Sequence, residues 1–198
     1  ETAAAAERYS RKIRKIDGVL CVAADAPVTV ATVAQRLRLP GLPVHVAELA
    51  CDKLAMKKCF RSAGVAVPWF AEVSTPQELQ RIAVERGSDL VIKPVDSRGS
   101  RGVQRVAQVQ DLAKAFMLAR SYSPSERVMV EQYLAGPQVS TESLVTNGRC
   151  YTPGFSDRNY EFLERYAPFF IENGGDLPSQ LPEETQEKVR ALVARAAA

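Results

Sequence analysis

Lys93 ends a short apolar run, Leu90-Val91-Ile92, and is followed by Pro94 and then by Asp96-Ser97-Arg98-Gly99-Ser100-Arg101-Gly102. Branched residues crowd a pleated surface well, so the run reads as a buried strand that delivers one ammonium group to its end. A second apolar start, Val103 to Val106, turns the whole stretch into a hairpin. Its tip has little to pack. Such a tip aims successive backbone N–H groups, hydroxyls and guanidinium groups at one anion, and polyphosphate is the anion that uses them all. A solvated turn with idle charges is the alternative that the loop alone leaves open. No G-x-x-x-x-G-K-[ST] segment occurs, so this is not a Walker loop.

Other reactive residue types are sparse. Cys21, Cys51, Cys59 and Cys150 form no C-x-x-C pair, and His45 is the only histidine, which argues against a zinc site. Cys21 falls in an apolar run and Cys51 and Cys59 on a helix, so buried or idle thiols in a reducing cytoplasm are expected. Asp25 follows an apolar run at Gly18 to Ala23, where an open sheet places ligand groups, although a plain turn residue fits as well.

The elements that must position these groups follow from the pattern. Thr2 to Lys15 reads as a helix, Gly18 to Ala23 as a buried parallel strand, and Val28 to Leu39 as an amphipathic helix. Ala47 to Ala63 reads as one helix ended by Gly64, with Leu49, Leu54, Met56 and Phe60 inward and Lys53, Lys57 and Lys58 left over. Thr75-Pro76-Gln77-Glu78 is a capping box with proline in the first turn, opening a helix that Gly87 ends. Gln110 to Arg120 is a helix, and Trp69 to Val73 and Arg127 to Tyr133 are strands. Asn147-Gly148 marks a hairpin between Val139–Thr146 and Arg149–Phe155. Ser156 to Ala167 is expected to be a loop with a helical turn, Phe169 to Glu172 a strand broken by Asn173-Gly174-Gly175, and Glu183 to Ala198 a helix.

The chain has 198 residues, 46% hydrophobic and 25% charged, an ordinary globular balance. Formal net charge is only +3, and the densest basic cluster, Arg8 to Lys15, reads as a solvated helix face, so no nucleic-acid partner is expected. No run approaches the ~20 apolar residues of a membrane helix, and no membrane partner is expected. Both ends read as cuts through a longer enzyme: Glu1 opens directly into a helix, and the last helix has no stop signal.

Three motifs now stand in order: Asp52-Lys53 opening a helix that ends Ala63-Gly64-Val65-Ala66-Val67-Pro68, Ile92-Lys93-Pro94 before the glycine-rich hairpin, and Glu131-Gln132-Tyr133-Leu134 before Gly136. Together they resemble the ATP-grasp superfamily, on the branch with biotin carboxylase, the large subunit of carbamoyl-phosphate synthase and the amino-acid ligases. The fold class implied is α/β with an α+β lid. Residues 1–50 would be the end of an open α/β domain, 51–131 the linker helix and nucleotide lid, and 132–198 the first part of an antiparallel core. The function implied is ATP-dependent joining of a small carboxylate to an amine through an acylphosphate. A non-catalytic nucleotide-binding or scaffold domain, or half of a biotin-dependent carboxylase, are the alternatives. The loop lacks the long glycine run of biotin carboxylases, which favours the ligases.

The resemblance also implies roles. Lys53 would reach the α-phosphate and Lys93 would bridge the α- and β-phosphates, with Ser97, Gly99, Ser100 and Gly102 folding over the triphosphate. The carbonyl of Glu131 or Gln132 would accept from the adenine amino group, and the Leu134 amide would donate to a ring nitrogen. Gln138 stands where relatives carry a ribose-binding acid, which removes charge assistance from that contact. Glu142 matches an acid further along, on the same strand side as Gln138. The cofactors implied are ATP and Mg2+, with the metal ligands expected beyond Ala198. This span is therefore not expected to turn over alone, and self-association through uncovered strand edges and the Val189-Leu192-Val193 face is expected.

Overall fold

The computed structural model describes residues 1–22, 25–87 and 89–198. Contacts divide them into two units, Glu1–Met56 and Lys57–Ala198. The first unit packs α1 (Thr2–Lys12), α2 (Pro27–Leu37) and α3 (Val44–Cys51), with α1 on α2 and α2 on α3. Pro27 opens α2, where its missing N–H is one of the donors no helix satisfies. The buried residues are small, Ala3, Ala31, Val33, Ala34 and Ala47, so the helix backbones approach closely.

The strand expected at Gly18 to Ala23 does not form over Gly18 to Val22, and Ala23 lies outside the described residues. Leu20 and Val22 are each 78% exposed. A parallel strand needs neighbours on both sides to take its N–H and C=O groups. The described residues of this unit supply only helices as regular elements. Cys21 and Cys59 are exposed rather than buried, for the related reason that an apolar neighbourhood in sequence does not guarantee a packed one in space.

The single helix expected over Ala47 to Ala63 is two, α3 and α4 (Lys53–Ser62), separated at Asp52. Asp52 is extended there, and its carboxylate accepts a hydrogen bond from the Ala55 N–H at 2.8 Å. Aspartate satisfies a first-turn donor better than it serves a helix interior, so it restarts the helix one residue before Lys53.

The second unit opens, after the end of α4, with a four-stranded antiparallel sheet, ordered β1 (Phe70–Val73), β4 (Val128–Gln132), β2 (Leu90–Pro94) and β3 (Gln104–Arg105). Two capped helices cover one face. Thr75 Oγ1 accepts from the Glu78 N–H at the start of α5 (Pro76–Arg86), and Asp111 Oδ1 from the Lys114 N–H at the start of α6 (Leu112–Ser121). Period-two alternation turns Leu90, Ile92, Val128 and Val130 toward these helices, where they form a core with Leu79, Ile82, Phe116 and Ala119. Val91, Lys93, Met129 and Glu131 therefore belong to the opposite face.

A three-stranded antiparallel sheet follows, β5 (Gln138–Thr146), β6 (Arg149–Asn159) and β7 (Gly174–Asp176). Asn147 and Gly148, at φ 50° and 71°, make the expected turn between β5 and β6. β6 runs four residues past Phe155, into the segment expected to be a loop. Phe169 to Glu172 does not form a strand, and the expected breaker, Gly174-Gly175, does. A Cβ on Gly175 would lie 2.7 Å from the Asp157 carbonyl oxygen, so the close approach of β7 to β6 is open to glycine and closed to larger residues. The apolar run is tethered through its backbone instead: Phe169 makes one isolated bridge to Gln104, and the Arg105 N–H donates to the Pro168 carbonyl at 2.8 Å, while the Phe169 and Ile171 side chains stay exposed. The last helix, α7 (Glu183–Ala196), packs on β6.

Candidate functional site

β2 and β4 are neighbours, with Val91 opposite Glu131 and Lys93 opposite Met129. Lys93 and Glu131 are thus diagonal partners on the face away from the core, within reach of a long side chain. Lys93 Nζ donates to Glu131 Oε1, and Lys57 Nζ, from α4, lies 2.9 Å from Oε2. The three side chains are only 18%, 12% and 15% exposed for Lys93, Glu131 and Lys57. Phe70, opposite Glu131 on β1, lies beneath the Lys57 ammonium at 5.8 Å and the Arg61 guanidinium at 4.9 Å.

Burial by itself pushes the Glu131 carboxyl upward and is the largest single influence on it. The charge and hydrogen bond of Lys93 and the ion pair with Lys57 together outweigh it, holding the carboxyl below its ordinary value. Oε2 is buried and makes an ion pair with Lys57 whose alignment falls short of a hydrogen bond. Two ammonium groups against one carboxylate leave a positive charge on this face, which suits an anionic ligand.

The glycine-rich loop joins the end of β2 to β3. Its base is fixed: the Asp96 carboxylate accepts from Ser123 Oγ and from the Ser125 N–H at 3.1 Å. Ser97 is half-buried, while Gly99 and Ser100 are exposed, with φ 63° and 54°. The far foot is packed, contrary to the expectation that the tip meets nothing. Gly102 is buried at φ 74°, and a Cβ there would lie 3.0 Å from Tyr122 Cδ2, 3.1 Å from Pro94 Cγ and 3.3 Å from the Ala119 Cα. Gly102→Ala is expected to destabilise the fold by about 1–3 kcal/mol through left-handed strain and overpacking against backbone. Urea denaturation checks this; an unchanged midpoint would show that the loop foot rearranges freely.

β4 leaves its sheet with its last amides occupied. The Gln132 N–H donates to the Trp69 carbonyl at 2.9 Å and the Tyr133 N–H to the Asp89 carbonyl at 3.0 Å. Leu134 is exposed, and Gly136 at φ 128° turns the chain into β5. Gln138 and Glu142 lie four apart on β5, both exposed, with Glu142 across from Gly154. Lys53 is the first residue of α4 and belongs to the first unit. Within the second unit the fold gathers Lys93, Glu131 and the loop.

Residues 50–198 match the family described as the ATP-grasp domain. The chain belongs to the ATP-grasp family. An uncharacterised protein of Sinorhizobium fredii (strain NBRC 101917 / NGR234) is 33% identical over 140 residues, 68% of this chain and 29% of that one. The D-alanine–D-alanine ligase of Azoarcus sp. (strain BH72) is 28% identical over 175 residues, 84% of this chain and 55% of that one. The chain thus spans about half the length, or less, of these relatives. Among solved structures, an L-amino acid ligase from Bacillus licheniformis superposes with a TM-score of 0.78 at 26% identity, covering 98% of this chain and 44% of that one. The biotin carboxylase domain of Hydrogenobacter thermophilus 2-oxoglutarate carboxylase shares the fold, with a TM-score of 0.76 at 19% identity over 99% of this chain and 44% of that one.

In this ATP-grasp chain, two features escaped the reading of the sequence. Lys57 was one of the lysines left over on its helix, and Glu131 was given only a backbone role. Their signals were there: a charged residue directly after the apolar run Val128-Met129-Val130, and a lysine one helical turn after Lys53.

Proposed function

We propose that this chain is the nucleotide-binding part of an ATP-dependent carboxylate–amine ligase. The observation that carries the reading is the convergence of Lys93 and Lys57 on Glu131, across the two inner strands of the sheet and beside the end of β2 from which the glycine-rich loop departs. Such a face offers the triphosphate two cations already gathered and partly desolvated, so little side-chain ordering remains to be done on binding. Lys93 bridges the α- and β-phosphates, Lys53 reaches the α-phosphate, and Ser97, Gly99, Ser100 and Gly102 close over the chain of phosphates. The Glu131 or Gln132 carbonyl and the Leu134 amide read adenine, while Gln138 and Glu142 face the ribose side. Residues 51–131 then act as linker helix and lid, and 132–198 as part of the core.

The reaction is activation followed by displacement. A carboxylate oxygen attacks the γ-phosphorus and ADP leaves, giving an acylphosphate; an amine nitrogen then attacks its carbonyl carbon and inorganic phosphate leaves. The protein's share is positioning and neutralisation of phosphate charge. Mg2+ would supply further neutralisation of the phosphates. Among the described residues no group of three or more His, Cys, Asp or Glu side chains could hold it, and no step above runs through it. The ligase reading is preferred over the carboxylase because one solved neighbour, an L-amino acid ligase, matches at 26% identity, whereas the carboxylase domain compared above matches at 19%. The cytoplasmic setting of this reading rests on four scattered cysteines without a C-x-x-C pair, and no described helix is long and apolar enough to cross a membrane.

Calorimetric titration with MgATP, repeated with hydrogen exchange, tests the nucleotide reading. Saturable binding with new protection over residues 97–101 is expected, because the exposed Gly99 and Ser100 would be covered by the bound phosphates. No heat and no protection at millimolar MgATP would overturn it. ADP release by the parent enzyme that depends on an amine together with a carboxylate, rather than on bicarbonate, separates the ligase from the carboxylase.

A further inference from the structure

Arg105 stands where three parts of the second unit meet. β3 pairs with β2 so that Arg105 lies opposite Val91, and Val91 in turn lies opposite Glu131. The alternation of the sheet therefore puts the Arg105 side chain on the face of Lys93 and Glu131, away from the core, while its neighbour Gln104 is buried and donates to the Ala115 carbonyl. Its guanidinium lies 4.1 Å over the ring of Tyr133 and 3.3 Å from the Asp89 carboxylate, at the start of β2. Its own N–H holds the Pro168 carbonyl, and Tyr133 continues the line to Phe170, with ring centroids 6.2 Å apart. Nε is buried and makes no hydrogen bond among the described residues. Stacking on Tyr133, more than saturation of its donors, thus fixes this guanidinium.

We propose that Arg105 is a positioning residue for the nucleotide base, acting through Tyr133. This rests on the nucleotide reading above. Tyr133 lies between the peptide groups assigned to adenine, the Gln132 carbonyl on one side and the Leu134 N–H on the other. A ring clamped by a cation on one side and by Phe170 on another fixes both peptide planes, and the Tyr133 N–H to Asp89 carbonyl bond fixes them from below. Backbone readout discriminates bases only as well as those planes are held, because adenine and guanine differ in which edge atoms donate and accept. Arg105 also ties Asp89, Tyr133 and Pro168 together, so it sets how β4 hands the chain on to β5.

The test is nucleotide binding by the wild-type chain and three variants, with ATP and GTP as separate probes and Trp69 fluorescence as reporter. Trp69 is the only tryptophan, and its carbonyl accepts from the Gln132 N–H. Arg105→Ala and Tyr133→Leu are each expected to weaken ATP binding about five- to tenfold while GTP binding changes little, so the ATP-to-GTP preference falls. The double variant should be no worse than either single one, because one interaction is removed once. Arg105→Lys keeps a cation over the ring and should recover part of the preference. Loss of thermal stability with an unchanged ATP-to-GTP ratio would make Arg105 merely structural and overturn the proposal, and so would additive effects in the double variant. If wild type binds neither nucleotide, the nucleotide reading itself falls; if wild type binds ATP and the variants match it, only this inference falls.

Discussion

Lys93→Ala is expected to weaken MgATP binding by about 1.5–3 kcal/mol, the scale of a hydrogen bond to a charged group. That corresponds to roughly a ten- to hundredfold rise in Kd by calorimetry. The geometry adds a second consequence. Lys93 shares Glu131 with Lys57, so its removal leaves a largely buried carboxylate with one cation instead of two. Folding stability should therefore fall along with affinity, and the Glu131 carboxyl should rise toward its ordinary value as the Lys93 charge disappears. Lys93→Arg is not expected to restore affinity fully, because a planar fork cannot replace a point charge at the end of a packed strand. Equal ATP affinity in wild type and Lys93→Ala would remove this residue from the phosphate site.

Glu131→Ala is expected to cost about 3 kcal/mol of folding stability, read as a lower urea midpoint. It leaves the Lys57 and Lys93 ammonium groups side by side on a face where each is under a fifth exposed. Glu131→Gln, which keeps the shape and some hydrogen bonding, should cost less. The pH dependence has a definite sign. The Glu131 carboxyl is held below its ordinary value in the folded chain, so the unfolded chain binds its proton more readily. Its contribution is fully present above the ordinary carboxylate value and is lost as pH falls through the lower, folded value. The stability gap between wild type and Glu131→Gln should therefore be constant near neutrality and shrink on acidification. A gap that widened in acid would mean that burial, rather than the lysines, governs this carboxyl.

The two predictions separate roles that the sequence could not. A lysine at the end of a buried strand, before a glycine-rich turn, was legible from residue types alone. The backbone role of Glu131 to Leu134 is implied only by the family resemblance, not by the residues themselves. That the Glu131 side chain would bind Lys93 depended on β2 and β4 being neighbours in one register, a pairing between residues 38 apart in the chain. A shift of one residue would have turned Glu131 into the core.

Local chemistry determined much of this protein without help. Thr75-Pro76 and Asp111 start helices, Gly87 ends one, Asn147-Gly148 turns a hairpin, and short apolar runs mark β2 and β4. These are decided within a few residues by capping, backbone freedom and runs of apolar residues. What needed partners was left to the tertiary structure. The Gly18 to Val22 run forms no strand, and the described residues of its unit offer only helices as regular elements for it to pair with. Gly174-Gly175 forms one because β6 pairs with it, at a distance from the Asp157 carbonyl that Gly175 tolerates for want of a side chain. Lys57 joins the site because α4 carries it to Glu131, across a distance in sequence that no local pattern reports. Hydrogen-bond complementarity between strands and the pairing of desolvated charges act between segments, and only the folded chain brings those segments together.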